Sequence, residues 1–198
     1  MGIYSVMIDK KNFAEVKEAI DNYDSQREKI IIQSRSVLKL SKQLIYSVHR
    51  DDLDGAKDLK KDIEKALAEL IALAVNPKLL NEGSIRIAIQ EHVEAVAYYD
   101  FVTKGKIIGF KKEYLTAPNY LMGLCDLTGE LGRRAVNKAA KAKYKDVLKL
   151  KEGVDEIYGA FLQLDIRENE LRKRVDSIKY DLKKLEDLVA DLKLKDKI

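Results

Sequence analysis

The 198-residue sequence predicts an all-α fold in one domain, and three observations support this prediction. The chain contains only 2 Pro and 10 Gly, so few positions interrupt regular structure. Apolar residues recur every three or four positions over long stretches, which is the spacing of an amphipathic helix. The C-terminal region carries a heptad pattern. Because the length suits a single buried core, we predict one helical domain over residues 1–198.

Six helices are predicted from this spacing and from the turn residues between them. Their approximate limits are residues 13–49, 54–75, 85–103, 118–141, 154–164 and 169–192. Asp54 is the predicted N-cap of the second helix, and Asn76 and Pro77 are expected to end it. The third and fourth helices are the richest in apolar residues, so we expect them in the middle of the bundle. The longest predicted loop is the segment 104–118.

The last predicted helix carries apolar residues in alternating steps of four and three, which form a heptad seam. The seam consists of Leu171, Val175, Ile178, Leu182, Leu185, Val189 and Leu192. Such a seam packs either on neighbouring helices of the same chain or on a helix of another subunit. The sequence alone leaves both arrangements open.

Composition excludes several classes of protein. The single cysteine, Cys125, rules out an intrachain disulfide and a cysteine-based zinc site, and it indicates a reducing compartment. The N-terminal sequence MGIYSVMIDKKNF lacks the apolar core of a signal peptide, and no run approaches the roughly 18 apolar residues of a membrane span. We therefore expect a cytoplasmic protein. A net charge of +4 is too small to diagnose nucleic-acid binding by itself.

Four acidic residues stand inside the two most apolar helices. Glu91 and Glu94 are three positions apart in IAIQEHVEAVAYYDF and therefore share a helix face. Asp126 and Glu130 are four positions apart in YLMGLCDLTGELGRR and share a face in the same way. If the two helices pack side by side, both pairs converge on one partly buried point.

Such a cluster needs neutralisation, because burying each unpaired carboxylate costs roughly several kcal/mol. Oxygen ligands favour Mg²⁺ or Mn²⁺, and a cation held in this way is common in sites that cleave phosphodiesters. A plainer interpretation is that the acids form salt bridges with Arg86, Arg133 or Arg134. A di-iron bundle fits less well, because His92 directly follows Glu91 and the Glu-x-x-His ligand step is absent.

A basic stripe is predicted on the first helix at steps of four and three residues. It consists of Arg35, Lys39, Lys42, Tyr46 and His49, with Arg50 beside it. Cations interleaved with an aromatic ring suit a single-stranded phosphate backbone and a stacked base. A second, shorter stripe consists of Arg134, Lys138 and Lys141. The alternative is that these residues populate the solvated face that a bundle helix needs.

The motifs named above resemble those of the translin family. The segment YLMGLCDLTGELGRRAVN is similar to the family signature, and QEHVEAVAYYDFV is similar to its preceding helix. The segment LRKRVDSIKYDLKKLEDLVADL resembles the family's C-terminal helix, and REKIIIQSRSVLKLSKQLIYSVHR resembles its N-terminal helix. The resemblance covers nearly the whole chain.

Within this family, the branch of translin-associated factor X keeps a QExxEA and a DLTGE segment whose acids bind metal and cleave RNA. Both segments are intact here, so the resemblance carries a catalytic and metal-binding role onto Glu91, Glu94 and Asp126, with Glu130 as the fourth member. The function it implies is an endoribonuclease that depends on Mg²⁺ or Mn²⁺ and cleaves single-stranded or locally unpaired RNA.

The resemblance also implies a bundle of six to seven helices and a closed octameric shell with its acidic sites facing inward. Two features depart from the eukaryotic branch, namely the shorter segment 104–118 and His92 in place of an aromatic residue. A compact, lysine-rich chain without tryptophan indicates a prokaryotic, archaeal-type member that forms a homo-oligomer. The RNA contacts expected from the basic stripes are Arg35, Lys39, Lys42, His49, Arg50 and Arg134. Two alternatives stay open, namely a non-catalytic shell that binds single-stranded RNA or DNA, and a purely structural scaffold.

Overall fold

A computed structural model of the protein describes residues 9–74, 76–107, 109–111 and 115–198. Within these residues the chain forms seven α-helices and no strand, which confirms the predicted all-α class. The helices are α1 Lys10–His49, α2 Leu53–Leu73, α3 Pro77–Leu80, α4 Gly83–Lys104, α5 Ala117–Ala140, α6 Tyr144–Phe161 and α7 Asn169–Leu194. Most of the segment that bears on a signal peptide, residues 1–8, lies outside the described residues. No helix in the described ranges is long and apolar enough to span a membrane.

The predicted limits of the second helix are wrong at its start. The N-cap is Asp52, whose side chain accepts a hydrogen bond from the backbone N–H of Gly55 at 3.1 Å. Asp54 instead lies in the first turn, where its negative charge interacts favourably with the positive end of the helix dipole. The helix ends at Leu73, and Asn76 caps the short α3, which the sequence analysis missed.

The sixth helix begins at Tyr144, ten residues before the predicted start at Val154. The break between α5 and α6 is short, because Ala142 turns the chain with a φ of 56° and Lys143 already occupies the N-cap position of α6. Val147 and Leu150 are buried, so the buried apolar face of α6 begins at Val147 and continues into the part of the helix that was predicted.

Helix α4 lies at the centre of the bundle. It packs on α1, α2 and α5, and α5 in turn packs on α6 and α7. Seven consecutive residues of α4, from His92 to Tyr98, are buried, so this part of the helix is enclosed on every side. The prediction that the two most apolar helices occupy the middle of the bundle is therefore confirmed.

The close approach of α4 and α5 depends on Gly123. A Cβ atom at this position would lie 2.7 Å from the backbone oxygen of Gln90 and 2.7 Å from the Cβ of Val93. Both atoms belong to the framework of α4 and cannot move aside cheaply. Gly123 thus allows the two acid-bearing helices to pack closely within one turn of Glu94 and Asp126.

The heptad seam of α7 packs within the chain, on α5 and α6. Five of its seven predicted members are buried, namely Leu171, Ile178, Leu182, Leu185 and Leu192. Val175 and Val189 are half-buried and pack against the same core. Of the two arrangements that the sequence left open, the intramolecular one is observed.

The N-terminal half of α1 extends beyond the body of the bundle. The helix has 40 residues, which corresponds to about 60 Å at a rise of 1.5 Å per residue. From residue 10 to residue 29 every side chain is exposed except Tyr23, which is half-buried. Phe13, Val16 and Ile20 lie on one face of this segment and are 63%, 47% and 55% exposed. The described part of the chain offers no cover for this apolar face.

Candidate functional site

The four predicted acids meet where α4 packs on α5, between α1 and α7. Glu91 and Glu94 line two neighbouring clefts. The cleft on the α7 side has a volume of about 410 Å³, and its other lining residues are Cys125, Asp126, Gly129, Arg174, Ser177 and Asp181. The cleft on the α1 side has a volume of about 290 Å³, and its other lining residues are Lys42, Ile45, Tyr46, Glu130 and Arg133. We call Glu91, Glu94, Asp126 and Glu130 the acid cluster.

Glu94 is the most buried member of the acid cluster, with 9% of its surface exposed. Burial, followed by the charges of Asp126, Glu91 and Glu130, raises the pKa of Glu94 to about 8 against the opposing effect of Arg174. Burial also raises the pKa of Glu91, with Lys42 opposing the shift, and raises the pKa of Asp126, with Arg174 opposing it. The cluster therefore favours bound protons or an added positive charge.

Two members of the cluster are held by basic side chains from other helices. Asp126 Oδ1 accepts a hydrogen bond of 2.6 Å from the guanidinium of Arg174 on α7. Glu130 Oε2 contacts His49 Nε2 at the end of α1 and lies 3.8 Å from Arg133. In both cases the second carboxylate oxygen makes no hydrogen bond with another described residue.

The other two members, Glu91 and Glu94, make no hydrogen bond or ion pair with any described residue. Each acid of the cluster thus keeps at least one free oxygen, and oxygen donors of this kind suit Mg²⁺ or Mn²⁺. No group of three or more His, Cys, Asp or Glu side chains among the described residues is arranged to hold a metal ion. The donor chemistry of the four carboxylates fits a hard divalent cation, although the described side chains as placed do not form a three-ligand site.

The salt bridges considered from the sequence are present only in part. Arg133 lies near Glu130, but Arg134 pairs with Asp51 on the α1–α2 turn, and Arg86 makes no ion pair with a described residue. The cation that pairs with Asp126 is Arg174, which the sequence analysis did not consider. Salt bridges therefore account for Asp126 and Glu130 and leave Glu91 and Glu94 without counter-charges in direct contact.

The basic stripe of α1 lies beside the acid cluster. Arg35, Lys39, Lys42 and Arg50 are exposed, and Tyr46 is 57% exposed. Lys42 and Tyr46 line the cleft that contains Glu91, Glu94 and Glu130, so the stripe and the cluster share a surface. The guanidinium of Arg50 lies 5.5 Å from the centre of the Tyr46 ring. Arg35, Lys39 and Lys42 make no ion pair with another described residue, which leaves them available for an anionic ligand.

Two residues predicted to contact RNA lie elsewhere. The side chain of His49 is only 6% exposed and contacts Glu130 and Tyr98 instead of following the surface stripe. The Arg134 side chain is 8% exposed and donates hydrogen bonds to the Val48 carbonyl at 2.7 Å and to Asp51 at 2.6 Å. Their donors are thus engaged within the protein, and their burial does not fit a direct RNA contact.

The second predicted stripe also turns inward. Lys138 is 7% exposed, and its ammonium group donates to both carboxylate oxygens of Asp51 at 3.1 Å. Lys141 lies 3.8 Å from the same carboxylate. Burial alone would raise the pKa of Asp51, but the hydrogen bonds from Lys138 and Arg134 outweigh it and lower this pKa. These ion pairs of Asp51 tie the α1–α2 turn to α5 and thereby fix the end of α1 beside the acid cluster.

Sequence analysis missed Arg174, Ser177 and Asp181, which line the cleft from α7. These residues follow one another at steps of three and four and each directly precedes a member of the heptad seam. This polar stripe beside the seam was a signal that could have identified them. Asp181 also accepts a hydrogen bond of 3.1 Å from Thr128 on α5, which fixes it at the edge of the cleft.

The chain is a seven-helix bundle with carboxylates on its two central helices and a basic stripe beside them. The translin family profile matches residues 25–196, and this chain belongs to the translin family. An uncharacterised protein of Methanocaldococcus jannaschii is 30% identical over 146 residues, which cover 73% of this chain and 65% of that protein.

Relatives from both branches of the family are similar to this chain. Translin of Gallus gallus is 35% identical over 102 residues, which cover 52% of this chain and 43% of that protein. The translin-associated protein X homologue of Schizosaccharomyces pombe is 28% identical over 147 residues, which cover 67% of this chain and 64% of that protein. The chain thus spans less than two thirds of the length of these curated relatives.

Solved structures confirm the fold. The structure of AfC3PO superposes with a TM-score of 0.85 at 21% identity and covers 93% of this chain and 98% of that chain. Apo-NeC3PO superposes with a TM-score of 0.84 at 24% identity and covers 94% of this chain and 98% of that chain. A complex of AfC3PO with duplex RNA superposes with a TM-score of 0.82 at 20% identity, with 93% of this chain and 97% of that chain covered.

Proposed function

We propose that this protein is a metal-dependent endoribonuclease that cleaves single-stranded or locally unpaired RNA. The observation that carries the proposal is the convergence of four acids, two of them without any hydrogen-bond or ion-pair partner among the described residues, beside an exposed basic stripe. Burying such acids is unfavourable for stability alone, so their placement favours a functional role. Membership of the translin family and the intact QExxEA and DLTGE segments support the same function.

Glu91, Glu94 and Asp126 would hold the cation, either Mg²⁺ or Mn²⁺, with Glu130 as a further ligand or orienting group. A cation bound there would supply an activated water and stabilise the charge that develops on the phosphate. Arg174 pairs with Asp126 at the edge of the same cleft, so its guanidinium is within reach of an anionic substrate as well. The buried position of Glu94 limits water around the acids, which strengthens their electrostatic effects.

The basic stripe would hold the RNA strand next to the acids. Arg35, Lys39, Lys42 and Arg50 present exposed cations along α1, and Tyr46 offers an aromatic face at the mouth of the cleft. Backbone phosphates and one stacked base match these two kinds of contact. His49 and Arg134 are not part of this proposed surface, because both are buried and bonded within the protein.

The proposed assembly is a homo-oligomer, with an octameric shell as the expected form and the cytoplasm as the expected location. The uncovered apolar face of α1 supports association with further copies of the chain. The AfC3PO complex contains duplex RNA, so duplex and single-stranded RNA are both to be tested as ligands.

A second candidate function is a non-catalytic oligomer that binds single-stranded RNA or DNA. The absence of a ready three-ligand metal site within the described residues favours this alternative, as does the pairing of Asp126 with Arg174. In that case the basic stripe would bind nucleic acid and the acids would have no catalytic role.

Cleavage of end-labelled RNA separates these functions. Purified protein is incubated with single-stranded and duplex RNA in Mg²⁺, in Mn²⁺ and in chelator, beside alanine variants of Glu91, Glu94 and Asp126. The exposed Glu156 on α6, also changed to alanine, is a matched control. Metal-dependent cleavage that the three cluster variants lose, and that the control keeps, supports the nuclease. Retained RNA binding without cleavage by the wild type would support the binding oligomer instead.

A further inference from the structure

His49 lies at the end of α1 with both ring nitrogens engaged. Its Nδ1 lies 3.0 Å from the hydroxyl of Tyr98 on α4, and its Nε2 contacts Oε2 of Glu130 on α5. The three side chains therefore form a continuous chain from a fully buried tyrosine, which is 0% exposed, to a member of the acid cluster.

One tautomer of the neutral His49 ring satisfies both contacts. In it, the Tyr98 hydroxyl donates to Nδ1, and Nε2 carries the ring proton and donates to Glu130. Burial raises the pKa of the Tyr98 hydroxyl, so it retains its proton throughout the neutral range. A histidine with one nitrogen fixed in this way presents a donor of defined direction to a carboxylate.

The surroundings of His49 keep its ring in place. The ring lies 4.9 Å from that of Tyr98, centre to centre, and the Arg134 guanidinium lies 6.0 Å from the centre of the Tyr98 ring. Arg134 also binds the carbonyl of Val48, the residue before His49. The end of α1 is thus tied to α4 and α5 on both sides of the histidine, so its position is determined by the buried framework.

We propose that His49 is a positioning residue of the acid cluster, which fixes Glu130 through Nε2 and is itself fixed by Tyr98. This inference rests on the proposed nuclease function and assigns His49 a role distinct from RNA contact. With Oε2 held by His49, the remaining oxygen of Glu130 makes no hydrogen bond with a described residue. Glu130 lines the same cleft as Glu91 and Glu94, so that oxygen is available to a cation there.

The test compares three variants with the wild type. His49→Ala removes the contact with Glu130, His49→Gln keeps an N–H donor in its place, and Tyr98→Phe removes only the hydroxyl that fixes the ring. Lys42→Ala serves as the comparison for a residue that contacts RNA. Three quantities are measured, namely RNA affinity in chelator, the cleavage rate at saturating RNA, and Mn²⁺ affinity without RNA by electron paramagnetic resonance.

We expect His49→Ala to lower the cleavage rate and the Mn²⁺ affinity by about tenfold or more, as for the loss of other partners of metal ligands. RNA affinity in chelator should stay at the wild-type value, whereas Lys42→Ala should lower it. His49→Gln should recover part of the loss, and Tyr98→Phe should show a smaller loss of the same kind. If His49→Ala fails to fold, the Mn²⁺ affinities and cleavage rates of His49→Gln and Tyr98→Phe, each compared with the wild type, still test the inference.

Two results would overturn the inference while the nuclease stands. One is His49 variants with wild-type Mn²⁺ affinity and cleavage rate. The other is His49 variants that lose RNA affinity as Lys42→Ala does and keep the cleavage rate. If the wild type neither binds Mn²⁺ nor cleaves RNA, the proposed function fails and the role of His49 fails with it.

Discussion

At the scale of single residues, the acid cluster joins helices α4 and α5 and receives basic partners from two further helices, Arg174 from α7 and His49 from α1. The spacing of Glu91 with Glu94, and of Asp126 with Glu130, predicted two shared faces, and the structure brings all four onto neighbouring clefts. Their partners from distant segments could not be predicted, because Arg174 and His49 reach the cluster only through tertiary packing. Burial of His49 and Arg134 depends on the α1–α2 turn, which spacing along one helix does not reveal.

The raised pKa of Glu94 has a consequence for stability. An ordinary glutamate in the unfolded chain titrates near 4.5, whereas the pKa of Glu94 in the folded protein is about 8. Between these two values the folded state holds a proton that the unfolded state has lost, so stability falls as the pH rises through this window. Below pH 4.5 both states are protonated and the effect vanishes.

We therefore expect Glu94→Gln to melt above the wild type at pH 8 in chelator, by roughly 10 °C, and to melt at about the same temperature at pH 4. The measurement is a series of thermal unfolding curves by circular dichroism between these pH values. Glu156→Gln, at an exposed position on α6, is the control and should follow the wild type. Parallel curves for Glu94→Gln and wild type would show that Glu94 is ionised at neutral pH.

At the scale of helices, apolar spacing predicted the class and the order of the main elements, while their ends were less predictable. The start of α6 was missed because its first turns, from Tyr144 to Gly153, intersperse lysines among the apolar residues and follow α5 after a break of only three residues. The N-cap of α2 was misplaced by two residues, because Asp51, Asp52 and Asp54 all carry a side chain suited to capping. The close contact at Gly123 could not be predicted from the sequence either, because it depends on which face of α5 packs on α4.

Gly123 provides a prediction about the contact of α4 with α5. Gly123→Ala places a methyl group 2.7 Å from the framework of α4, so the helices must separate, which we expect to destabilise the protein by about 1–3 kcal/mol. Gly132→Ala is the matched control on the same helix, because nothing lies within 4 Å of its added Cβ. The control should be neutral or stabilise by up to about 1 kcal/mol through helix propensity.

Chemical unfolding of both variants, with cleavage measured alongside, checks this prediction. Gly123→Ala should also lower cleavage, because separated helices move Glu94 away from Asp126. Equal stability of the two alanine variants would contradict the role assigned to the close contact.

At the scale of the whole molecule, the exposed apolar face of α1 is the feature that a single chain does not explain. Phe13, Val16 and Ile20 share one face of a helical segment that projects from the bundle. Covering such a face with a second copy of the chain would remove apolar surface from water and is consistent with the proposed homo-oligomer.

We expect the wild type to be an octamer in solution and the double variant Phe13→Glu with Ile20→Glu to form smaller species. The measurement is molar mass by light scattering after size-exclusion chromatography. A double variant of the exposed polar residues, Asn22→Glu with Ser25→Glu, adds the same charge to the same helix and should keep the assembly. A monomeric wild type, or a Phe13 and Ile20 variant that assembles normally, would contradict this role of α1.

Whether the acid cluster cleaves RNA is decided by a variant that loses two of its four carboxylates. The rate of RNA cleavage in Mg²⁺ or Mn²⁺ is compared between wild type and the double variant Glu94→Gln with Asp126→Asn, and RNA affinity is measured for both in chelator. We expect the wild type to cleave RNA, the double variant to show no cleavage, and the double variant to bind RNA at least as tightly as the wild type. A double variant that cleaves RNA at the wild-type rate would contradict this role of the acid cluster.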